Sequence, residues 1–144
     1  MSNALYDKGR EAFARGDIQW KAAGSTIKVT LIDVADYTVN LATHQYMNTD
    51  TVPAAAKVST GTLANLVSTN GICDADDVTL TTVTGDQSEA LIIWMDGGGG
   101  GTTASGTTDL LIAYIDSATG LAVTPNGGNI IIQWDNNTNK IFKL

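Results

Sequence analysis

The residues best suited to bind a metal ion are three closely spaced aspartates, Asp74, Asp76 and Asp77. Calcium takes about six to eight oxygen ligands, and neighbouring carboxylates can supply some of them. However, the stretch lacks the calcium-loop pattern, which has glycine at its sixth position and glutamate at its twelfth. We therefore interpret the three aspartates as a solvated acidic turn leading into a strand, and we predict no metal and no other cofactor.

Nucleophilic catalysis would depend on the single histidine, His44, because reactive cysteines and serines need a basic partner. The single cysteine, Cys73, lies between Ile72 and Asp74, and we interpret it as an inert small side chain. No Gly-x-Ser-x-Gly motif is present, and one histidine cannot form a multi-histidine metal site. Paired carboxylates stay open as an alternative, because their separation depends on tertiary structure. We predict that the protein is not an enzyme and has no catalytic residues.

The glycine run at 97–101 could be read as a phosphate cradle. A phosphate-binding loop needs Gly-Lys-Ser/Thr at the start of a helix, whereas this run leads into Thr102 and Thr103. A dinucleotide-binding turn also begins a helix, and no helix is predicted here. We therefore predict a long, flexible hairpin loop between strands at 91–95 and 110–115, and we expect it to be the most mobile segment.

The three tryptophans could bind sugars or form an interface. Trp94 and Trp134 lie within predicted strands, which favours positions in the core. Trp20 stands beside Lys21 outside regular structure, so core packing and a subunit contact are both open for it.

Composition narrows the class of protein further. The 144 residues are 43% hydrophobic, which suits one globular domain, and only 16% are charged. A net charge of −7 disfavours binding to nucleic acid or to an anionic membrane, because both need clustered Lys and Arg. No apolar run approaches the roughly 20 residues that span a bilayer. The first residues lack the apolar region of a secretory signal, so we expect synthesis in the cytoplasm.

Two structural regions are expected, an N-terminal helix or arm at 1–24 and a β-sandwich domain at 25–144. Apolar residues recur at helical spacing over 3–15, with Asn3 as the N-cap and Gly16 as the C-terminal stop. Gly9 inside this helix costs about 1 kcal/mol relative to alanine. So short a helix must dock on something else.

After Gly16 the hydrophobic period changes to two, which predicts strands. Residues 27–31 alternate and predict a half-buried strand, whereas the continuously apolar segments 91–95 and 110–115 predict central strands covered on both faces. The remaining segments predicted as strands are 78–83, 121–124, 130–134 and 140–144, with short edge strands at most in 57–70. The stretch 37–51 is ambiguous and includes a possible helical turn at 44–47. Short strands separated by turn signals predict a mainly β fold, an antiparallel β-sandwich of jelly-roll type.

Several stretches resemble a family of small virion proteins of tailed bacteriophages, and together they cover nearly the whole chain. These stretches are 6–13, 16–20, 27–33, 89–94, 111–116 and 119–135. The glycine run and the threonine-rich segment after it lie outside the pattern. The resemblance implies a virion role without a described chemistry, and no catalytic residue is carried over from it.

From the resemblance we expect a protein that decorates or cements the capsid on its outer surface by binding the major capsid protein, after synthesis in the host cytoplasm. Local three-fold positions on a capsid would favour a homotrimer. The candidate subunit-interface residues are Tyr6, Phe13 and Trp20, because an N-terminal arm can exchange onto a neighbouring copy. The alternative is a tail-associated module that binds a receptor or a carbohydrate.

Overall fold

The computed structural model describes residues 3–144, and these residues are mainly β. In chain order the elements are β1 (Ala4–Leu5), α1 (Asp7–Arg15), β2 (Ile27–Ile32), a 3-10 helix (Ala54–Ala56), β3 (Lys57–Thr62), β4 (Val67–Thr69), β5 (Ile72–Asp74), β6 (Val78–Leu80), β7 (Ala90–Met95), β8 (Leu110–Ile115), β9 (Ile130–Ile132) and β10 (Phe142–Lys143). The largest sheet has five strands in the order β1-β8-β7-β2-β3. A three-stranded sheet, β10-β5-β4, and a two-stranded sheet, β6-β9, complete the described fold. All of these pairings are antiparallel.

The two smaller sheets pack on one face of the five-stranded sheet, which confirms the β-sandwich prediction. The larger core cluster lies between the main sheet and the two smaller sheets. In it, Val29 and Ile93 of the main sheet pack with Cys73 of β5 and Ile132 of β9. The layers approach closely at Gly61 of β3, where an added Cβ would lie 2.6 Å from a side-chain carbon of Val78. A larger residue at position 61 would therefore push β6 away from the main sheet.

The opposite face of the main sheet is covered by the irregular segment between β2 and β3. Tyr37, Met47 and Val52 of this segment are buried against Ile92 and Trp94 of β7 in a second core cluster. Both faces of β7 and β8 are thus covered, as their continuous apolar sequences predicted. The two small sheets cover one face, and the long segment between β2 and β3 covers the other with its own apolar side chains.

The prediction that residues 27–31 form a half-buried strand is wrong in its burial, because the segment between β2 and β3 also covers the second face of β2. Thr30 is fully buried, and its hydroxyl is satisfied by Trp94 Nε1 at 2.9 Å and by Thr60 Oγ1 at 2.8 Å. The side chain of Lys28 extends along the strand until its amine reaches Asp96 at 2.9 Å. The polar side chains of β2 therefore bind neighbouring strands and loops, with Thr30 buried and Lys28 partly exposed.

The N-terminal helix begins at Asp7, four residues later than predicted, and Tyr6 occupies the N-cap position. Asn3 does not cap the helix. Its side-chain oxygen accepts hydrogen bonds from the amides of Asp116 and Ser117, which fixes β1 beside β8. The helix ends as predicted at Gly16, whose φ of 80° is the left-handed conformation that glycine adopts without steric cost.

Gly9 has a packing role that its helix propensity does not reveal. A Cβ at this position would lie 2.7 Å from the carbonyl oxygen of Leu111, so only glycine lets α1 approach the backbone of β8 this closely. The helix therefore docks on the main sheet through the residue that weakens it most in isolation.

Two weaker sequence predictions also differ from the structure. The segment 121–124 forms no named strand, and only an isolated bridge joins Val123 to Ser88. The possible helical turn at 44–47 is instead an extended stretch that follows a turn at 41–43 and includes a bridge from Tyr46 to Leu110. Within residues 3–144, no helix is long and apolar enough to cross a bilayer.

Candidate functional site

The glycine run connects β7 to β8, and alternate amides of the run bind the carboxylate of Asp109. Asp109 Oδ1 accepts hydrogen bonds from Gly97 at 2.9 Å and Gly99 at 3.1 Å, and Oδ2 accepts one from Gly101 at 2.7 Å. Asp109 is only 3% exposed, so little water competes for these bonds. The loop does form a concave set of N–H donors of the kind that binds anions, but the anion is a side chain of the same protein.

The remaining amides of the run bind Asp96. Its Oδ1 accepts hydrogen bonds from Gly98 at 2.8 Å and Gly100 at 3.1 Å, and its Oδ2 lies 2.9 Å from the amine of Lys28. Burial raises the pKa of Asp96, but the Lys28 hydrogen bond and the two amides outweigh it and lower the pKa to about 2. The Lys28 amine also lies 5.5 Å from the centre of the Trp94 ring.

Glycine is required in this loop because other residues would block its geometry. A Cβ at Gly97 would lie 2.0 Å from the carbonyl oxygen of Thr108, and Gly100 and Gly101 have φ values of 63° and 71°. The sequence predicted a flexible loop from the same glycines. The structure shows that they bring N–H groups together, and every amide from 97 to 101 has a carboxylate acceptor.

A second set of contacts fixes the outer part of the loop to the segment between β2 and β3. The side chain of Asn48 donates to Gly106 O at 2.8 Å, and Ser105 Oγ donates to Asp50 Oδ2 at 2.7 Å. The amine of Lys57 donates to the carbonyls of Met47 and Gly101. Together these contacts join two long loops into one ordered surface at the end of the main sheet.

The aspartates at 74, 76 and 77 are held by separate partners. Asp77 Oδ1 accepts a hydrogen bond from the amide of Trp134 at 2.9 Å, and Asp76 Oδ2 accepts one from the side chain of Asn65 at 2.6 Å. Asp74 lies 3.9 Å from the amine of Lys140. Asp76 and Asp77 thus fix the turn between β5 and β6 by hydrogen bonds to other segments, and Asp74 at the end of β5 forms an ion pair.

The one group of acidic residues close enough to share a cation, among those described, is Asp33, Asp36 and Asp86, whose oxygens lie within 4.8 Å of one another. Sequence reasoning missed this group, because Asp86 comes from a different loop, fifty positions after Asp36. Asp33 Oδ1 already accepts the amide of Ala35 at 2.8 Å, and the other two aspartates are exposed. Exposed acidic groups of this kind are common without a metal.

His44 and Cys73 belong to different core layers of the fold. Cys73 is fully buried in β5, and burial raises the pKa of its thiol to about 11, so the reactive thiolate is scarce near neutral pH. His44 lies in the loop on the opposite face of the main sheet, where its Nδ1 is 2.8 Å from the hydroxyl of Tyr37. In this arrangement the imidazole contacts the phenol of Tyr37, and Cys73 lies on the other side of the main sheet.

Two of the three candidate interface residues are buried within the chain itself. Tyr6 is fully buried and its hydroxyl lies 3.0 Å from that of Tyr37, while Trp20 is 8% exposed and donates through Nε1 to Asp74 O at 3.0 Å. Phe13 is partly buried and packs beside Phe142, with ring centres 6.1 Å apart. Only Phe13 thus keeps a partly accessible ring, and the assignment of all three to a subunit contact stays a prediction. Trp94 and Trp134 are in the core, as predicted.

A cleft of about 700 Å³ lies on the side of the sandwich away from the glycine loop. Its lining includes Leu31 and Leu91 of the main sheet, with Trp134 on a wall and Asp135 and Lys140 among its polar residues. Ligand sites in proteins typically measure about 300–1,000 Å³, so the cleft is large enough for a small ligand. Trp134 is 8% exposed, and its Nε1 already donates to Asp76 O at 3.0 Å, so its ring offers little surface for stacking.

The sequence matches no known family model and no curated protein.

Proposed function

We propose that the protein is a structural component of a tailed-bacteriophage particle that decorates the outer capsid surface and cements neighbouring copies of the major capsid protein. The proposal starts from the family resemblance of the sequence. It is supported by a fold whose long loops are held in place by internal hydrogen bonds. A protein that acts by contact alone gains from such a preformed surface, because little conformational entropy is lost on binding.

The observation that carries the proposal is the ordered double loop at the end of the main sheet. The amides of the glycine run donate their hydrogen bonds to two carboxylates of the same protein, those of the buried Asp109 and the partly buried Asp96. The outward side chains are short, as in the exposed Thr102, Thr103 and Ser105, and the exposed Asp50 is hydrogen-bonded by Ser105. Binding would therefore immobilise few long charged side chains.

The stabilising effect of such a protein follows from mass action. A ligand that binds only the assembled, expanded shell lowers the free energy of that shell relative to its separated subunits. Each bridging copy adds contact free energy across a junction between capsid subunits, which opposes the outward pressure of packaged DNA. Three-fold junctions would favour a homotrimer, in which one surface of each copy meets a different surface of the next.

The direct test is to mix the purified protein with undecorated mature heads and to measure co-sedimentation. We expect saturable binding at hundreds of copies per head and greater resistance of decorated heads to heat. Ile131→Asp and Val67→Asp place a charge on apolar side chains that are 60% and 55% exposed, at the edges of two different sheets. Both variants should still bind if the double loop is the contact surface, and loss of binding in one of them would place the contact at that sheet edge instead. No binding by the unaltered protein would contradict the proposal.

A second candidate function is a tail-associated module that binds a receptor or a carbohydrate, and the cleft beside Trp134 favours it. A ligand of this kind would fill a site of about 700 Å³ that contains Asp135 and Lys140. Copy number in purified particles separates the two functions, since a handful of copies indicates the tail and hundreds indicate the head. Glycan binding that is lost in Lys140→Ala would support the tail module.

A further inference from the structure

The hydroxyls of two buried tyrosines form a hydrogen-bonded chain that ends on His44. Tyr6 OH lies 3.0 Å from Tyr37 OH, which lies 2.8 Å from His44 Nδ1. The main-chain N–H of Asn40 donates to the same Nδ1 at 3.3 Å. We call this group, Tyr6, Tyr37, the Asn40 amide and His44, the His44 latch.

The direction of these hydrogen bonds follows from the Asn40 amide. A backbone N–H can only donate, so Nδ1 must act as an acceptor and the ring proton of neutral His44 must be on Nε2. Tyr37 then donates its proton to Nδ1 and accepts the proton of Tyr6. With Nδ1 unprotonated, each of these donors has an acceptor within the latch.

The latch lies where the segment 37–47 is joined to the rest of the fold. The amide of Asp7, the first residue of α1, donates to Leu41 O at 2.8 Å, and the amide of Leu111 in β8 donates to Gln45 O at 2.9 Å. Beneath the segment, Tyr37 and Met47 cover the second core cluster of the main sheet. Release of the segment would therefore expose Tyr6 and the face of β8 that belongs to the second core cluster.

We propose that the His44 latch is a pH-sensitive device that holds the 37–47 segment closed at neutral pH and loosens it on mild acidification. Protonation changes Nδ1 from an acceptor for two donors into a third donor at the same point. Tyr37 can rotate to accept from the imidazolium and to donate to Tyr6 instead, but the proton of the fully buried Tyr6 hydroxyl then has no acceptor within the latch, and the Asn40 N–H loses Nδ1 as its acceptor. Both effects disfavour the closed state.

The groups around the latch do not offset this effect. Tyr6 and Tyr37 stay neutral over this range, because burial raises the pKa of both phenols, and burial also raises the pKa of the neighbouring Tyr114 phenol on β8. The charged residues nearest in α1, Asp7 and Arg10, are paired with each other at 2.7 Å.

The sign of the pH dependence can be stated directly. Burial lowers the pKa of His44 below its ordinary 6.5, so the closed segment binds fewer protons than the open one. The closed state is therefore fully favoured above about pH 6.5 and loses stability as the pH falls below that value. The opening constant rises by up to about tenfold for each pH unit, until the lowered pKa is reached.

The test is amide hydrogen exchange of peptides from the 37–47 segment near pH 7 and near pH 5, expressed as protection factors so that the intrinsic rate change cancels. We expect the protection factors of this segment to fall on acidification, by a factor that grows as the pH drops from 6.5 towards the lowered pKa of His44, while those of β7 are unchanged. In His44→Asn the short side-chain amide oxygen is an acceptor that does not titrate, so the fall should be absent. An equal fall in His44→Asn, or none in the unaltered protein, would overturn the proposal.

A second measurement keeps the proposal testable if that variant does not fold. The protein has one histidine, so its ring proton resonance can be titrated by NMR without assignment. We expect a pKa below 6.5 in the unaltered protein and a higher value in Tyr37→Phe, which removes one of the two donors to Nδ1. A pKa at or above 6.5 in the unaltered protein, or no change in Tyr37→Phe, would show that the latch does not resist protonation.

Discussion

Replacement of Asp109 by asparagine should destabilise the protein strongly, although the side chain keeps its size. Asp109 is 3% exposed and accepts three glycine N–H groups. Hydrogen bonds to a charged acceptor contribute about 1.5–3 kcal/mol each, against about 1 kcal/mol for neutral ones. In Asp109→Asn one oxygen can still accept from Gly97 and Gly99, but the new NH2 group faces the N–H of Gly101.

The expected loss in the free energy of unfolding is about 2–4 kcal/mol. A chain of this size loses roughly 3 °C in Tm for each kcal/mol, so Tm should fall by about 6–12 °C. Urea unfolding followed by far-ultraviolet circular dichroism measures the first quantity, and a thermal scan measures the second. Asp109→Ala should cost at least as much, because all three amides then lose their acceptor.

The matched control is Asp135→Asn, the same chemical change at an exposed aspartate that accepts the amide of Asn137 at 3.0 Å. Asparagine supports the same turn, so this change should alter stability by less than about 0.5 kcal/mol. If Asp109→Asn and Asp135→Asn lose equal stability, the carboxylate of Asp109 does not hold the glycine loop and the reasoning fails.

Three further predictions concern α1, β5 and the other glycine-binding carboxylate. Gly9→Ala should lower the free energy of unfolding by about 1–3 kcal/mol despite the better helix propensity of alanine, because its Cβ would lie 2.7 Å from Leu111 O. If urea unfolding shows that Gly9→Ala stabilises the protein, the close approach of α1 to β8 is contradicted. The control is Ala14→Gly at an exposed helix position, which should show the effect of helix propensity alone, a destabilisation of about 1 kcal/mol. Cys73 should react with a thiol reagent near pH 8 only after denaturation, since its thiol is buried with a pKa of about 11; rapid reaction in the folded protein would be inconsistent with that burial. Because the pKa of Asp96 is lowered from 3.8 to about 2, its contribution to stability should be present above pH 3.8 and be lost as the pH falls through about 2. Asp96→Asn should remove this pH-dependent contribution from the acid unfolding curve. We expect it to be about 1 kcal/mol, because solvent partly screens the Asp96–Lys28 ion pair, and an unchanged curve would refute the lowered pKa of Asp96.

The central strands were predictable because their sequences report burial directly. The residues of β7 and β8 are apolar without interruption, and only a strand covered on both faces tolerates that composition. The helix stop at Gly16 was predictable for a similar local reason, since glycine readily adopts the left-handed conformation of a C-cap. The start of the same helix was not, because Asn3 binds a loop more than one hundred residues away.

The candidate sites were less predictable than the strands. Neither Asp96 nor Asp109 was predicted as a site residue; nothing local distinguishes Asp109 from other loop aspartates, and only its position directly before the glycine run sets Asp96 apart. Their role depends on the hairpin that places both carboxylates beside the same run of amides. Likewise Tyr6 and His44 are 38 positions apart, and only the docking of α1 on the main sheet connects them through Tyr37. One signal was available in the sequence, since a run of glycines that is directly preceded by an aspartate suggests amide–carboxylate contacts.

By itself, the sequence determined the mainly β class, the central strands, the buried tryptophans of β7 and the C-terminal region, and the inert environment of Cys73. These features depend on hydrophobic periodicity and on the conformational preferences of single residues, which act over a few positions. The tertiary structure alone decided which carboxylates bind the glycine loop, which tyrosines meet His44, and why Gly9 must have no side chain. Each of these contacts joins atoms that are far apart in the chain, and their distances are set by the packing of whole sheets.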